Sequence, residues 1–264
     1  MVPHQDQFIS VFGHSLFVRF WAADNNAKQE DLTPILLIHD SLGCVETWGD
    51  FPALLSLATK RKVIAYDRLG FGQSEARIEL PLPDFIEEEG SRFLPEILNQ
   101  LKLDKVILFG HSVGGAMAIS AARQLAGKIQ AVISESAQAF VEDRTINGIR
   151  AGKQFFQTEK GISWLQRFHG NKKDWVLNSW TEVWLSEAFQ SWSLSNDEQP
   201  VSCPTLILHG DQDEYGSIAF PEALKQLVSA PATAVILPNC GHIPHKEMPE
   251  VILNQVGQFL SNQP

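Results

Sequence analysis

The 264-residue chain predicts an α/β fold: a mostly parallel twisted sheet flanked by helices, with a helical cap inserted after the sixth strand. Three observations predict it. Short apolar, β-branched runs ending in turn residues recur along the chain. Amphipathic helical patterns separate several of those runs, as crossover connections between parallel strands require. The rhythm then fails between about Ala137 and Asn196, where no strand-like run appears and five of the seven tryptophans fall.

In chain order, Phe8 to Val11 and Leu16 to Trp21, separated by Gly13-His14, predict an opening antiparallel hairpin. The runs Ile35–Ile38, Val63–Tyr66, Val106–Phe109, Ala131–Ile133, Thr205–Leu208 and Ala234–Leu237 predict strands buried on both faces. Residues 84–101 place Phe93, Ile97 and Leu101 at four-residue steps with Ile86, Leu94 and Leu98 alongside. They predict an amphipathic helix whose early Glu87, Glu88 and Glu89 suit its dipole. Residues 1–136 and 197–264 are expected to form the core, and residues 137–196 the cap. Trp164, Trp175, Trp180, Trp184 and Trp192 suit the packing of a small helical layer. Trp180 and Trp184 are in addition candidate walls of a substrate pocket beneath it.

Hydrophobic residues make up 44% of the chain and charged ones 20%, the balance of an ordinary globular protein. A formal charge of −10 with no basic stripe argues against a nucleic-acid partner. The amino terminus lacks a basic segment followed by an apolar one, and no apolar run approaches membrane-spanning length, so a cytoplasmic protein without membrane association is expected. Cys44, Cys203 and Cys240 are widely spaced and suggest neither a disulfide framework nor a zinc site. The eight histidines show no H-x-x-x-H spacing, the acids no calcium-loop spacing, and no Gly-rich phosphate cradle appears. Neither metal nor cofactor is therefore expected.

Chemistry concentrates at Gly110-His111-Ser112-Val113-Gly114, which follows the apolar run Val106–Phe109 and precedes a stretch rich in Ala and Ile. A G-x-S-x-G nucleophile elbow needs this strand-turn-helix setting: small neighbours let the backbone pass closely, and the serine hydroxyl stands exposed above the sheet. The helix that follows aims free N–H groups toward the place where an oxyanion forms. A serine needs a base, and the base an orienting acid. Thr205–Leu208 runs into His209-Gly210-Asp211-Gln212-Asp213, and Ala234–Leu237 runs into Pro238-Asn239-Cys240-Gly241-His242. Both loops lie just past the carboxyl end of a strand, where open α/β sheets build their sites. Asp211, Asp213 and Glu214 can each orient an imidazole, and Glu135, after Ala131–Ile133, is a further candidate acid or pocket residue. Cys240 lacks the elbow setting and reads as packing. His111 reads as a packing residue beside the serine, His245 as a surface or capping side chain, and Asp67 as structural.

With His39-Asp40-Ser41-Leu42-Gly43 after the third strand and Asp67 to Ser74 after the fourth, these motifs resemble the α/β-hydrolase superfamily, in its small capped esterase-like branch, over essentially the full chain. The resemblance implies Ser112 as nucleophile, His242 as base, and Asp213, through the G-x-x-D step from Gly210, as acid. It implies the Ser41 and Val113 N–H groups as oxyanion donors, with His39 supporting the loop. The family usually has His-Gly where this chain has His39-Asp40. A carboxylate there faces developing negative charge unless it is turned away or protonated, and it makes Asp40 a candidate substrate contact. The implied function is cofactor-independent hydrolysis of a small ester, thioester or lactone by a monomer or homodimer. Two alternatives are hydrolysis or lysis of a carbon-carbon bond on the same triad, and a slow-turnover ligand sensor.

Overall fold

A computed structural model of the chain describes residues 2–22, 32–194 and 199–261. The hairpin is present as β1 (His4–Val11) and β2 (His14–Trp21), paired antiparallel from His4↔Trp21 to Val11↔His14. Then come β3 (Ile35–Ile38), β4 (Val63–Tyr66), β5 (Val106–His111), β6 (Ile129–Glu135), β7 (Thr205–Gly210) and β8 (Ala232–Leu237). The eight form one sheet in the order β1-β2-β4-β3-β5-β6-β7-β8, antiparallel at β1/β2 and β2/β4 and parallel elsewhere.

Successive strand residues point to opposite faces, and both faces are covered. Leu36, Ile64, Leu108 and Val132 pack with α3 (Leu94–Gln100) and α4 (Val113–Gln124). Ile35, Val63, Ile107 and Ile133 pack with α1 (Phe51–Thr59) and α10 (Pro249–Ser261). One expectation needs correction here. β8 is an edge strand, so its outer side lacks a neighbour and Ile236 is 43% exposed, whereas the strands between β2 and β8 are buried throughout apart from Gln130.

The expected 84–101 helix is present but interrupted. α2 (Phe85–Glu88) passes through one π-helical stretch, Glu89–Phe93, into α3. The wider turn rotates Glu89 inward, where its carboxylate accepts a bond from the Tyr66 hydroxyl at 2.7 Å. Glu89 is therefore buried and not part of a solvated acidic first turn.

Between β6 and β7 the chain forms α5 (Asp143–Phe156), α6 (Glu159–His169) and α7 (Lys173–Trp184). The two ends of this insertion meet in a bridge between Phe140 and Ser193, and the Leu194 N–H donates to the Ala139 carbonyl at 2.9 Å. The expected boundary at 196/197 lies outside the described residues. Trp184, Phe189 and Trp192 stack as a small internal core, with ring centroids 4.8 to 5.7 Å apart. The short α8 (Ala219–Gln226) and α9 (Pro244–Glu247) follow β7 and β8. No helix among the described residues is long and apolar enough to cross a membrane.

Candidate active site

β5 ends at His111, and Ser112 turns the chain into α4 with φ 56° and ψ −126°, a strained conformation for a non-glycine residue. The turn closes only because its flanks lack side chains. A Cβ at Gly110 would sit 2.1 Å from the Gly114 carbonyl oxygen, and one at Gly114 would sit 2.1 Å from that of Ile38. The Ser112 N–H is fixed by donation to the Glu135 carbonyl at 2.8 Å, leaving the side chain to point above the sheet.

Ser112, Asp213 and His242 come from three different strand ends and meet there, all three buried. The Ser112 hydroxyl lies 2.9 Å from His242 Nε2 and donates to it. His242 Nδ1 lies 2.9 Å from both oxygens of Asp213 and donates to that carboxylate. Asp213 also accepts the Tyr215 N–H at 2.8 Å. Burial pushes the Asp213 carboxyl upward in pKa, but the His242 charge and hydrogen bond outweigh it, so it is held below the usual carboxylate range. Of the neighbouring candidate acids, Asp211 and Glu214 are exposed and neither bonds the imidazole. Cys240 is buried and its thiol is pushed up to about 12 by that burial, the opposite of a reactive cysteine.

Two residues differ from the sequence-based expectation. Glu135, a candidate substrate contact, is the last residue of β6, lies fully buried beneath the site and is not among the cavity-lining side chains. His245 is not on the surface: α9 folds it inward, and its Nδ1 donates to Glu135 at 2.6 Å. The pair packs against His111 and Trp48, with the ring centroids of His245 and Trp48 4.7 Å apart. His111, Glu135 and His245 bring ring nitrogens and a carboxylate oxygen within 4.8 Å of one another, a spacing that could hold a cation. Both His111 nitrogens, however, already face acceptors. Nε2 donates to the His242 carbonyl at 2.9 Å, and Nδ1 lies 3.4 Å from Asp40 Oδ2, an arrangement that suits an imidazolium and not a ligand lone pair.

Asp40 sits in the loop after β3. His39 Nδ1 donates to its carbonyl at 2.8 Å, the Arg68 guanidinium does the same, and its Oδ1 accepts the Leu42 N–H at 2.8 Å. That last bond is an Asx turn, in which the aspartate side chain closes its own loop. Burial raises the Asp40 carboxyl pKa, but the hydrogen bond and charge of His111 outweigh it and keep the group ionised. His111 is in turn pushed down by burial and up, more strongly, by Asp40 and Glu135. Ser41 lies on the cavity wall next to Asp40, and Val113 is the first residue of α4, just past Ser112.

These groups open on a cavity of about 170 Å3. Its floor is Ser112, His242 and the Asp40–Leu42 loop, and its roof is Ile149, Phe156, Trp164, Trp180 and Trp184 from α5, α6 and α7. Trp180 and Trp184 line the space as expected, though both are also buried core residues of the insertion. Sequence reasoning missed Gln138, which is buried just past β6 with its Nε2 donating to Ser112 Oγ at 3.2 Å, and Tyr215, whose ring centroid lies 4.6 Å from that of His242. Both stand one to five residues beyond the end of a sheet strand, the zone already marked by Asp213 and His242.

A model of the alpha/beta hydrolase family matches residues 35–255. A proline iminopeptidase of Heyndrickxia coagulans is 26% identical, the match covering 98% of this chain and 99% of that protein. The 2-hydroxy-6-oxo-2,4-heptadienoate hydrolase of Pseudomonas putida is 24% identical, over 86% of this chain and 89% of its own. Among solved structures, the enol-lactonase of Burkholderia xenovorans superposes with a TM-score of 0.72 at 21% identity, covering 97% of this chain and all of that one.

Proposed function

The chain belongs to the alpha/beta hydrolase family, and from that premise we propose that it is a serine hydrolase cleaving a small carboxylic ester, thioester or lactone through an acyl-enzyme. The observation that carries this reading is the unbroken hydrogen-bond chain from Asp213 through His242 to a strained Ser112 that faces an aromatic-walled cavity. His242 takes the Ser112 proton as Oγ attacks the carbonyl carbon, and the imidazolium is held by Asp213. The oxyanion is received by the Ser41 and Val113 N–H groups, the latter at the positive end of α4. His242 then returns the proton to the leaving oxygen or sulfur. A water deprotonated by the same imidazole releases the acid. The roof of α5, α6 and α7 acts as a cap that excludes bulk water and fixes one side of the substrate.

The test is labelling. A fluorophosphonate forms a one-to-one adduct at Ser112, and Ser112→Ala abolishes both the adduct and ester turnover. An adduct at Cys240, or none, refutes the assignment. The name of the Pseudomonas relative favours one second reading, hydrolysis beside a ketone with rupture of a carbon-carbon bond on the same triad. Turnover of a vinylogous diketone faster than of short aryl esters would select it.

A further inference from the structure

Asp40 lies deep in the molecule, between the β3 loop and the end of β5, yet 27% of its side chain remains open. Because Asp40 lines the cavity, that open surface faces the space next to Ser112. The carboxylate has about four lone-pair sites. The protein supplies one donor to Oδ1, the Leu42 N–H, and one longer contact to Oδ2, from His111. Some other polar groups on the cavity wall are already engaged: the Thr47 hydroxyl donates to the Cys44 carbonyl, the Thr145 hydroxyl to that of Tyr215, and the Gln138 Nε2 to Ser112, although the Gln138 Oε1 is a second, neutral acceptor without a partner. Beside the nucleophile, therefore, the wall offers an acceptor with spare capacity.

We propose that Asp40 is a specificity-determining residue, its carboxylate accepting a hydrogen bond from an uncharged hydroxyl that the substrate carries close to the scissile carbonyl, and that it turns anionic substrates away. The inference rests on the serine-hydrolase reading and deepens it. An uncharged donor fits because Asp40 is already paired with His111. The pair as a whole carries little net charge, so a second cation has no unbalanced anion to meet, while a hydroxyl gains a charge-assisted bond. A carboxylate placed there would meet the Asp40 oxygens, which offer it no proton to accept, although Lys246 lines the same cavity together with Glu214. A cavity of about 150 Å3 holds one benzene ring, so about 170 Å3 accommodates a phenyl-sized group beside Ser112.

The experiment uses four methyl esters that differ at a single carbon bearing a phenyl ring: methyl mandelate (hydroxyl), methyl 2-phenylpropanoate (methyl), methyl phenylglycinate (ammonium) and monomethyl phenylmalonate (carboxylate). For each, kcat/KM is measured with the full-length wild type, Asp40→Gly and Asp40→Asn, and ratios between variants cancel the intrinsic reactivity of each ester. The hydroxyl-to-methyl ratio is expected to be at least about tenfold higher in the wild type than in Asp40→Gly, the usual worth of a hydrogen bond to a charged group. Asp40→Asn keeps an acceptor for the Leu42 N–H. It should retain part of the hydroxyl preference and gain turnover of the malonate ester. Equal ratios in wild type and Asp40→Gly, or an ammonium ester favoured over the hydroxyl ester by Asp40, overturn the proposal. Should no ester turn over, the corresponding amides are tested for protection of Ser112 against fluorophosphonate. Protection by mandelamide at least about tenfold better than by 2-phenylpropanamide, lost in Asp40→Gly, supports the proposal, and equal protection overturns it. Failure of Ser112 to label at all brings down the serine-hydrolase reading itself, whereas labelling and turnover without hydroxyl discrimination bring down the Asp40 inference alone.

Discussion

Two buried carboxylates near neighbouring strand ends each hold an imidazole, Asp213 with His242 and Glu135 with His245, and their surroundings differ. Glu135→Leu removes the acceptor of the 2.6 Å bond from His245 Nδ1 in a pair whose side chains are 0% and 3% exposed, and removes one of the two anions that face His111. Burial holds the His245 pKa below its usual value, so it is a neutral donor, and leaving its N–H buried without an acceptor costs about 1–3 kcal/mol. For a chain of this size, roughly 2–4 °C is lost per kcal/mol, so the melting temperature should fall by about 2–12 °C. Ester turnover at 25 °C should stay within about tenfold of wild type, since Glu135 touches neither His242 nor the cavity. Asp213→Asn should behave in the opposite way. An amide in that place still accepts the Tyr215 N–H, so stability changes little, but it presents the wrong partner to His242 Nδ1, and kcat should drop by about 10^4. Thermal unfolding by circular dichroism and ester hydrolysis on the same preparations read both effects. If Glu135→Leu melted with the wild type and lost more than about a hundredfold in turnover, the acid would be Glu135 and the triad as drawn would be wrong.

Other outcomes follow from single contacts. His169 is buried, and that burial holds its pKa down to about 4; its Nδ1 accepts the Gly72 N–H at 3.0 Å and its Nε2 donates to the Leu42 carbonyl at 2.8 Å. Its folded pKa lies below the unfolded value near 6.5, so stability is complete above pH 6.5 and about 3 kcal/mol is lost as pH falls toward 4; urea titrations of wild type and His169→Leu across that window should show the difference only in wild type. Gly114→Ala should cost more than about 3 kcal/mol or abolish soluble folding, because its Cβ meets backbone, whereas Gly257→Ala, in α10 with open space around it, should stabilise by about 1 kcal/mol in thermal melts. Trp184→Ala should cost about 3–5 kcal/mol because Trp184 is only 2% exposed, while Trp164→Ala, at a half-buried cavity wall, should shift relative rates among acyl lengths with a much smaller change in melting temperature.

The residues legible in the sequence share one property: their geometry is set within a few residues of a strand end. Ser112 is announced by Gly110 and Gly114, whose missing side chains are needed to within about 2 Å of backbone, and Asp213 and His242 follow strands whose apolar runs mark where the sheet stops. The strands themselves were readable for the same reason, each being a local apolar run, although their lengths grew by pairing: β5 extends to His111 and β6 to Glu135 because each finds a partner in the neighbouring strand. What local pattern could not reveal is orientation. His245 lies three residues past His242 and looked solvent-facing, but α9 turns it under the site. Glu89 reads as one of three consecutive acids until the π-helical stretch rotates it onto Tyr66. Gln138, Phe156 and Trp164 reach the cavity only through the packing of α5 to α7 on the sheet, which depends on contacts 26 to 127 positions apart.

That dependence is itself concentrated in a few polar ties, and they land on the loops after β3, β4 and β7. His169 at the end of α6 bonds the Leu42 carbonyl, next to Ser41, and Lys172 reaches the carbonyls of Phe71 and Ser74. On the other flank Thr145 of α5 donates to the Tyr215 carbonyl, Arg144 to that of Asp213 itself, and Glu142 accepts from the Ser217 N–H and hydroxyl. The insertion thus grips the loops after β3 and β4 through the junction between α6 and α7, and the loop after β7 through the start of α5, while its helices supply aromatic rings. Beneath the site, the counterparts of these ties are buried: His111 joins the Ser112 turn to the His242 carbonyl and to Asp40. A shift of the helices would therefore be resisted at Ser112 and His242, which are braced from below, and felt first at Leu42 and Tyr215, which are held from above. The physical consequence is that substitutions in α5 to α7 should alter which substrate reaches Ser112 well before they alter whether Ser112, His242 and Asp213 remain in register.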